Sequence, residues 1–139
     1  MSARAGYRQF SAIDTRWMDN DVYGHVNNVV YYSFFDTAVN RWLIEQGVLE
    51  PATSPVIGVV VETGCRFSKS LTFPDRVEAG LRVAKIGTSS VRYEVGLFRE
   101  GDQEPAAEGH FVHVYVDRET RRPTPVPATM RTVLEGLLI

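Results

Sequence analysis

The sequence predicts an α+β fold, an antiparallel sheet of about five strands wrapped around one long helix. Two observations carry that expectation. An apolar series with helical period follows a polar stretch near residue 28, and four later segments are rich in β-branched and aromatic residues with turn chemistry among them. A single helix needs cover that loops do not provide, so the economical packing curves one sheet face around it. No G-x-G-x-x-G or P-loop motif occurs, and nothing in the pattern demands a parallel sheet.

The elements follow in chain order. Residues 7–13 alternate loosely and read as a first strand. Residues 17–28 are polar, with Gly24, Asn20, Asn27 and Asn28, and read as an irregular loop. Asn27 or Asn28 is a suitable N-cap, because an amide oxygen accepts an otherwise unpaired backbone N–H. The set Val30, Phe34, Phe35, Ala38, Val39, Trp42 and Leu43 then recurs at three- and four-residue steps, and Gly47 is a natural stop. Such a helix is roughly 28 Å long at 1.5 Å per residue. Val29, Tyr31 and Tyr32 add apolar surface elsewhere, so much of its circumference is expected to be covered. Pro51 and Pro55 mark a loop. Residues 56–67, 76–86, 90–99 and 106–116 read as four consecutive strands of a meander, with Gly87-Thr88-Ser89 and Gly101-Asp102 as turns. Pro123, Pro125 and Pro127 stop the sheet, and residues 130–138 read as a short terminal helix.

Composition bounds the rest. At 139 residues the chain suits one domain spanning 1–139, and 44% hydrophobic with 23% charged residues excludes a disordered or collagenous chain. A formal net charge of -2, from 15 Lys+Arg and 17 Asp+Glu, leaves no electrostatic footprint for nucleic acid. The one cysteine, Cys65, excludes an intramolecular disulfide and fits a reducing compartment. Residues 1–10 lack the apolar core of a signal peptide, and no apolar run approaches the ~20 residues that span a bilayer. A cytoplasmic location without membrane attachment is expected.

Chemistry concentrates in Asp19-Asn20-Asp21-Val22-Tyr23-Gly24-His25-Val26-Asn27-Asn28, just ahead of the helix. The first turn of a helix offers unpaired N–H donors and about half a positive charge. Such an end binds an anion or stabilises an oxygen that gains negative charge. A nearby carboxylate supplies a nucleophile or general base, and the pair suffices for attack on an acyl carbonyl with no serine, metal or cofactor. The plain alternative is a loop whose Asp, Asn and Gly turn the chain and cap the helix.

The run from Thr15 to Tyr32, above all Asp19-x-Asp21-x-x-Gly24-His25-Val26-Asn27-Asn28 followed by an aromatic-rich helix reaching Asp36, resembles the signature of the 4-hydroxybenzoyl-CoA thioesterase family. Residues 67–75 are similar to that family's connection between the second and third strands, 87–90 to the following hairpin and 123–127 to its proline-rich exit, so the likeness covers about residues 7–130. The resemblance implies the hotdog fold and an acyl-CoA thioesterase, with acyl-ACP as another possible substrate. It also implies a dimer whose sheets join edge to edge, or a tetramer of such dimers, with sites at the subunit interface.

Carried over by position, the resemblance makes Asp21 the catalytic carboxylate and the backbone N–H near Asn28 the carbonyl-polarising donor. His25 is a further catalytic candidate that positions the loop or a water. Gly24 lets backbone approach the thioester, and Asn27 and Tyr31 complete the substrate-binding set. Asp19 is expected to support the loop, and Asp36 to be a buried, paired carboxylate or to bond back to the loop. Direct attack by Asp21, giving an acyl-enzyme anhydride, and general-base activation of water both stay open. Tyr31, Tyr32, Phe34 and Phe35 would form an aromatic wall for aliphatic or aryl groups.

Among the other groups, Cys65 is expected to pack in a strand. His110 and His113 fall on opposite faces of the last strand, one exposed and one packed, and form no metal spacing. Arg82, Lys85, Arg92 and Arg99 are candidate contacts for CoA phosphates, or simply solvated strand charges. Two other functions fit the same fold. A hydratase or dehydratase would use Asp21 and His25 as acid and base, but its spacing differs. A non-catalytic acyl-CoA-binding module would normally carry an added basic segment.

Overall fold

The computed structural model describes residues 3–139; the leader expectation for residues 1–10 falls partly on 1 and 2, which lie outside the described residues. The elements are β1 (Gln9–Asp14), α1 (Asn28–Glu45), β2 (Val56–Phe67), β3 (Arg76–Ile86), β4 (Ser90–Arg99), β5 (Ala107–Asp117) and α2 (Ala128–Glu135). Short 3-10 turns at Arg4–Gly6 and Trp17–Asp19 flank β1. The expected long helix stands where its pattern placed it. Asn27 is its N-cap, the Asn27 side chain accepting from the Val29 N–H at 3.0 Å. Gly47 takes φ 75° just past its end. The terminal helix begins two residues earlier than the apolar series suggested, straight after Pro127, which serves as its N-cap.

The five strands form one antiparallel sheet in the order β1-β3-β4-β5-β2. The hotdog architecture is therefore present: one sheet curved around one helix. The simple four-strand meander is not. Only β3, β4 and β5 follow one another as neighbours. β2 pairs with β5 at one edge of the sheet and β1 with β3 at the other. The strand propensities were right, but the pairing partner of β2 is decided by long-range packing that no local pattern encodes. The connection at residues 68–75 must consequently cross from the β2 edge of the sheet to β3, which lies next to the opposite edge.

Alternation along the strands sets two faces. Val77, Ala79, Leu81 and Val83 of β3, and Val91, Tyr93, Val95 and Leu97 of β4, are buried on the helix side. Against them α1 lays Tyr31, Phe34, Phe35, Ala38, Val39, Trp42 and Leu43. Each large side chain fully buried here is worth roughly 1.5–3 kcal/mol of transfer free energy. Phe35 crosses the sheet at Gly109, where an added Cβ would collide with the Phe35 ring and the Gly64 carbonyl. The opposite stripe of α1 stays uncovered: Val29 is 67% and Ile44 45% exposed. The expectation of a helix covered around most of its circumference is corrected accordingly, because this sheet wraps one side of it.

The helix-side face also contains a polar chain. The hydroxyls of Tyr93 and Tyr115 hydrogen-bond at 2.8 Å, and the Tyr115 hydroxyl lies 3.4 Å from His113 Nδ1. His113 is buried, packed against Phe111, Tyr93 and Tyr115, and burial pushes its imidazole from 6.5 down to about 4.

Two outcomes are expected. Gly109→Ala should destabilise by roughly 1–3 kcal/mol, read as a lower urea midpoint, since the crossing leaves no room for a methyl. His113 binds its proton more weakly folded than unfolded, so it leaves stability untouched above pH 6.5. Stability is lost as pH falls from 6.5 to about 4, by roughly 3 kcal/mol over the whole window. Urea midpoints taken across that range should fall more steeply for the wild type than for His113→Leu; parallel slopes would contradict the assignment.

Candidate active site

The polar segment before α1 is a small hairpin rather than an irregular loop. The Asn27 N–H donates to the Asp19 carbonyl and the Asp21 N–H to the His25 carbonyl, both at 2.9 Å, on either side of an Asn20–Val26 bridge. Gly24 turns the chain with φ 86°, a conformation that side chains resist. The hairpin is anchored from two directions. Buried Asp19 accepts from the Arg16 backbone N–H at 2.7 Å and from its guanidinium at 2.9 and 3.1 Å. The 68–75 crossing lies along the other side. Leu71 takes the Val26 N–H on its carbonyl at 2.7 Å, Thr72 Oγ1 donates to the Gly24 carbonyl at 3.2 Å, and the Phe73 N–H donates to Asn20 Oδ1 at 3.0 Å. The Leu71 N–H in turn donates to the buried Tyr31 hydroxyl at 3.2 Å, tying the crossing to the first turn of α1.

Asp21 is half-buried in this frame. Its Oδ1 accepts from the Tyr23 N–H at 2.9 Å, and its Oδ2 has no partner among the described residues. It lines an open cavity of about 820 Å³ together with Trp17, Met18, Asn20, Gly24 and Asn27. The apolar rim is unusually bare, with Trp17 78%, Met18 73%, Val22 94% and Tyr23 81% exposed. On the helix side, Asn27 satisfies the N–H groups of Val29 and Val30 through its side chain and carbonyl. The Asn28 N–H has no partner among the described residues, so a free donor stands at the positive end of α1.

The structure groups the candidate residues unevenly. Asp21, Gly24 and Asn27 share one cavity. Asn28 and Tyr31 line a smaller one of about 200 Å³ with Phe67, Ser68, Lys69 and Ser70. His25 is exposed and lines neither, its carbonyl closing the hairpin while its ring makes no hydrogen bond among the described residues. Asp36 is not buried: it is exposed and accepts from Asn40 Nδ2 at 3.0 Å, one helical turn away, because it falls on the uncovered stripe of α1. Asn20, Leu71 and Lys69 carry roles here that the sequence does not assign them, although Asn20 lies in the polar run and the other two in the 67–75 connection. No local pattern gives those roles, since each residue acquires its place only through the crossing from β2 to β3.

The remaining groups sit elsewhere. Cys65 is half-buried and burial raises its thiol to about 11, which makes it a poor nucleophile. Arg82, Arg92 and Arg99 are engaged with Glu94, Glu62 and with Asp75 and Asp102 respectively, the first two on the solvent face of the sheet. His110 Nε2 lies 2.9 Å from Glu62 on that same face.

The profile of the Thioesterase-like superfamily matches residues 15–134, which takes in the hairpin, the long helix and four of the five strands, β2 to β5. The chain belongs to the thioesterase-like superfamily. As an enzyme it is accordingly a hydrolase of acyl thioesters. The PA5185 protein from Pseudomonas aeruginosa strain PAO1 is similar over 98% of this chain and 95% of its own, with 52% identity and a TM-score of 0.96. The PA2801 protein from Pseudomonas aeruginosa matches 92% of this chain and 98% of its own at 31% identity and a TM-score of 0.85. A chloroplastic acyl-acyl carrier protein thioesterase of Arabidopsis thaliana is 24% identical over 131 residues, 91% of this chain and 68% of its own length.

The two aspartates should separate cleanly in stability measurements. Asp19→Ala removes a buried acceptor of backbone and guanidinium N–H groups and should cost roughly 1–3 kcal/mol. Asp21→Asn keeps an oxygen for the Tyr23 N–H and should stay within about 0.5 kcal/mol of wild type. Urea unfolding of the two variants measures both.

Proposed function

We propose that the chain is an acyl-CoA thioesterase of the 4-hydroxybenzoyl-CoA thioesterase kind, converting an aliphatic or aryl acyl-CoA to the free acid and CoA. Asp21 is the nucleophile or general base, and the Asn28 backbone N–H binds the oxygen that becomes negative. One observation carries this reading. A short hairpin holds a half-buried carboxylate with one free oxygen at one end and delivers a free N–H at the helix start at the other. An anionic group and an oxyanion donor on one rigid segment are what attack on a thioester carbonyl needs. Gly24 and Asn27 share the cavity with Asp21 and would flank the thioester, and Tyr31 would wall the acyl group. His25 would act on the hairpin or a bound water.

Exposed Lys69 lines the Asn28 cavity, which favours an anionic carrier such as CoA; acyl carrier protein is the other carrier class. The apolar rim around Asp21 and the unpaired edge of β2 support a homodimer, or dimers paired into a tetramer, that covers both. The single thiol fits a cytoplasmic place, and among the described residues no helix is long and apolar enough to cross a membrane.

Release of free thiol from short, long and aryl acyl-CoAs tests the reading. Wild type should hydrolyse at least one class, and Asp21→Asn should lose at least about 100-fold in kcat with its fold intact. Loss of enoyl absorbance without thiol release would point instead to a hydratase.

A further inference from the structure

A second cavity of about 710 Å³ lies along the far half of α1, away from the hairpin. Its inner walls are apolar, from Leu43, Ile44, Leu49 and Ile57, while the exposed Asp36, Thr37, Arg41 and Glu45 and the half-buried Asn40 also border it. Its floor is not apolar. His113 and Tyr115, the end of the polar chain on the helix side of the sheet, open into it. An imidazole that is 2% exposed carries a desolvation cost that a groove for plain hydrocarbon has no reason to bear.

The state of that imidazole narrows the ligand. Nδ1 faces the Tyr115 hydroxyl at a long 3.4 Å. Nε2 has no hydrogen-bond partner among the described residues, yet no fully enclosed side-chain nitrogen or oxygen among them lacks a partner. Nε2 is therefore not fully enclosed, and His113 lines the groove. Gly58 keeps the ring in place there, since a Cβ at that position would lie 2.7 Å from Nδ1. A neutral imidazole presents either an acceptor or a donor at Nε2, depending on the tautomer. A hydroxyl is both donor and acceptor, so it pairs with either form.

The groove begins at Asp36, eight residues from the start of α1, or about 12 Å along the helix axis. A group bound there lies far from the reacting carbon. We propose that this groove takes the distal part of the acyl group and that His113 Nε2 hydrogen-bonds a hydroxyl on it, so that the preferred substrate class is an acyl thioester hydroxylated near its far end. The proposal rests on the thioesterase reading above. His113 is then a specificity residue, with Tyr115 holding its ring.

The test compares CoA thioesters hydroxylated at the terminal carbon with unsubstituted ones of equal length, over a series of medium and long chains. Wild type should favour the hydroxylated member of a pair by about tenfold or more in kcat/KM. His113→Leu should bring the ratio to about one, and His113→Gln, which retains a hydrogen-bonding head, should restore part of it. A wild-type ratio near one, or an unchanged ratio in His113→Leu, overturns the proposal while leaving thiol release intact. Absence of thiol release from every thioester would sink the thioesterase reading instead, so a second measurement works without turnover. The imidazole nitrogen resonance of His113, assigned by its loss in His113→Gln, is followed while the free terminal-hydroxy acid or its unsubstituted counterpart is added. A shift with the hydroxy acid alone supports the proposal. No shift overturns it, as does a resonance that answers only to dilution of the protein, which would mark the groove as filled by a second copy.

Discussion

The site depends on the crossing of residues 68–75 over the start of α1. Because β2 and β3 occupy different halves of the sheet, the chain between them must pass the helix end. In passing, it satisfies the Val26 N–H, the Gly24 carbonyl and the Asn20 amide oxygen, and donates its own Leu71 N–H to the Tyr31 hydroxyl. These are modest bonds singly, about 0.5–1.5 kcal/mol each. Their effect is geometric. They fix both strands of the hairpin against a helix that is itself locked by seven buried side chains, so the Asp21 carboxylate cannot swing freely relative to the Asn28 N–H. Positional constraint of this kind contributes to catalysis through orientation rather than through binding strength.

The two faces of the sheet divide the remaining work. The helix side is apolar except for the chain of Tyr93, Tyr115 and His113, where each polar group is tucked among aromatic rings. The solvent side carries Arg82 with Glu94 and Glu62 with Arg92 and His110, over a sheet thinned by Gly80 and Gly96 where Tyr7 lies flat. The exposed pair of Glu62 and Arg92 contributes little stability individually, whereas Arg82 and Glu94 are largely covered. The apolar surface left bare lies at the hairpin rim, along α1 and β2, and at Leu138 and Ile139.

Much of this was legible in the residues. The α1 period, its Asn27 cap and its Gly47 stop are local features, and local chemistry decides them. The boundaries of β2, β3 and β4 followed from their β-branched content in the same way. What failed was long-range. The partner of β2 depends on which edge completes the sheet, and the burial of Asp36 on which side of the helix the sheet leaves open. For the site, the motif placed Asp21, Gly24 and Asn27 around one cavity, whereas the supports at Asn20 and Leu71 come from chain segments about fifty residues apart in sequence. A single sequence gives no sign of such pairings.

The pairing of β2 with β5 bears on the open edge of the sheet. That pairing slips between Val60 and Glu62, leaving Val61 bulged and 58% exposed within a valine-rich edge. A straight apolar edge of this composition would template open-ended fibril growth. A bulge disrupts the ladder locally and bends the strand, and Glu62 places a charge beside it. An interrupted, charged edge of this kind is a poorer template for repeated strand stacking than a straight apolar one.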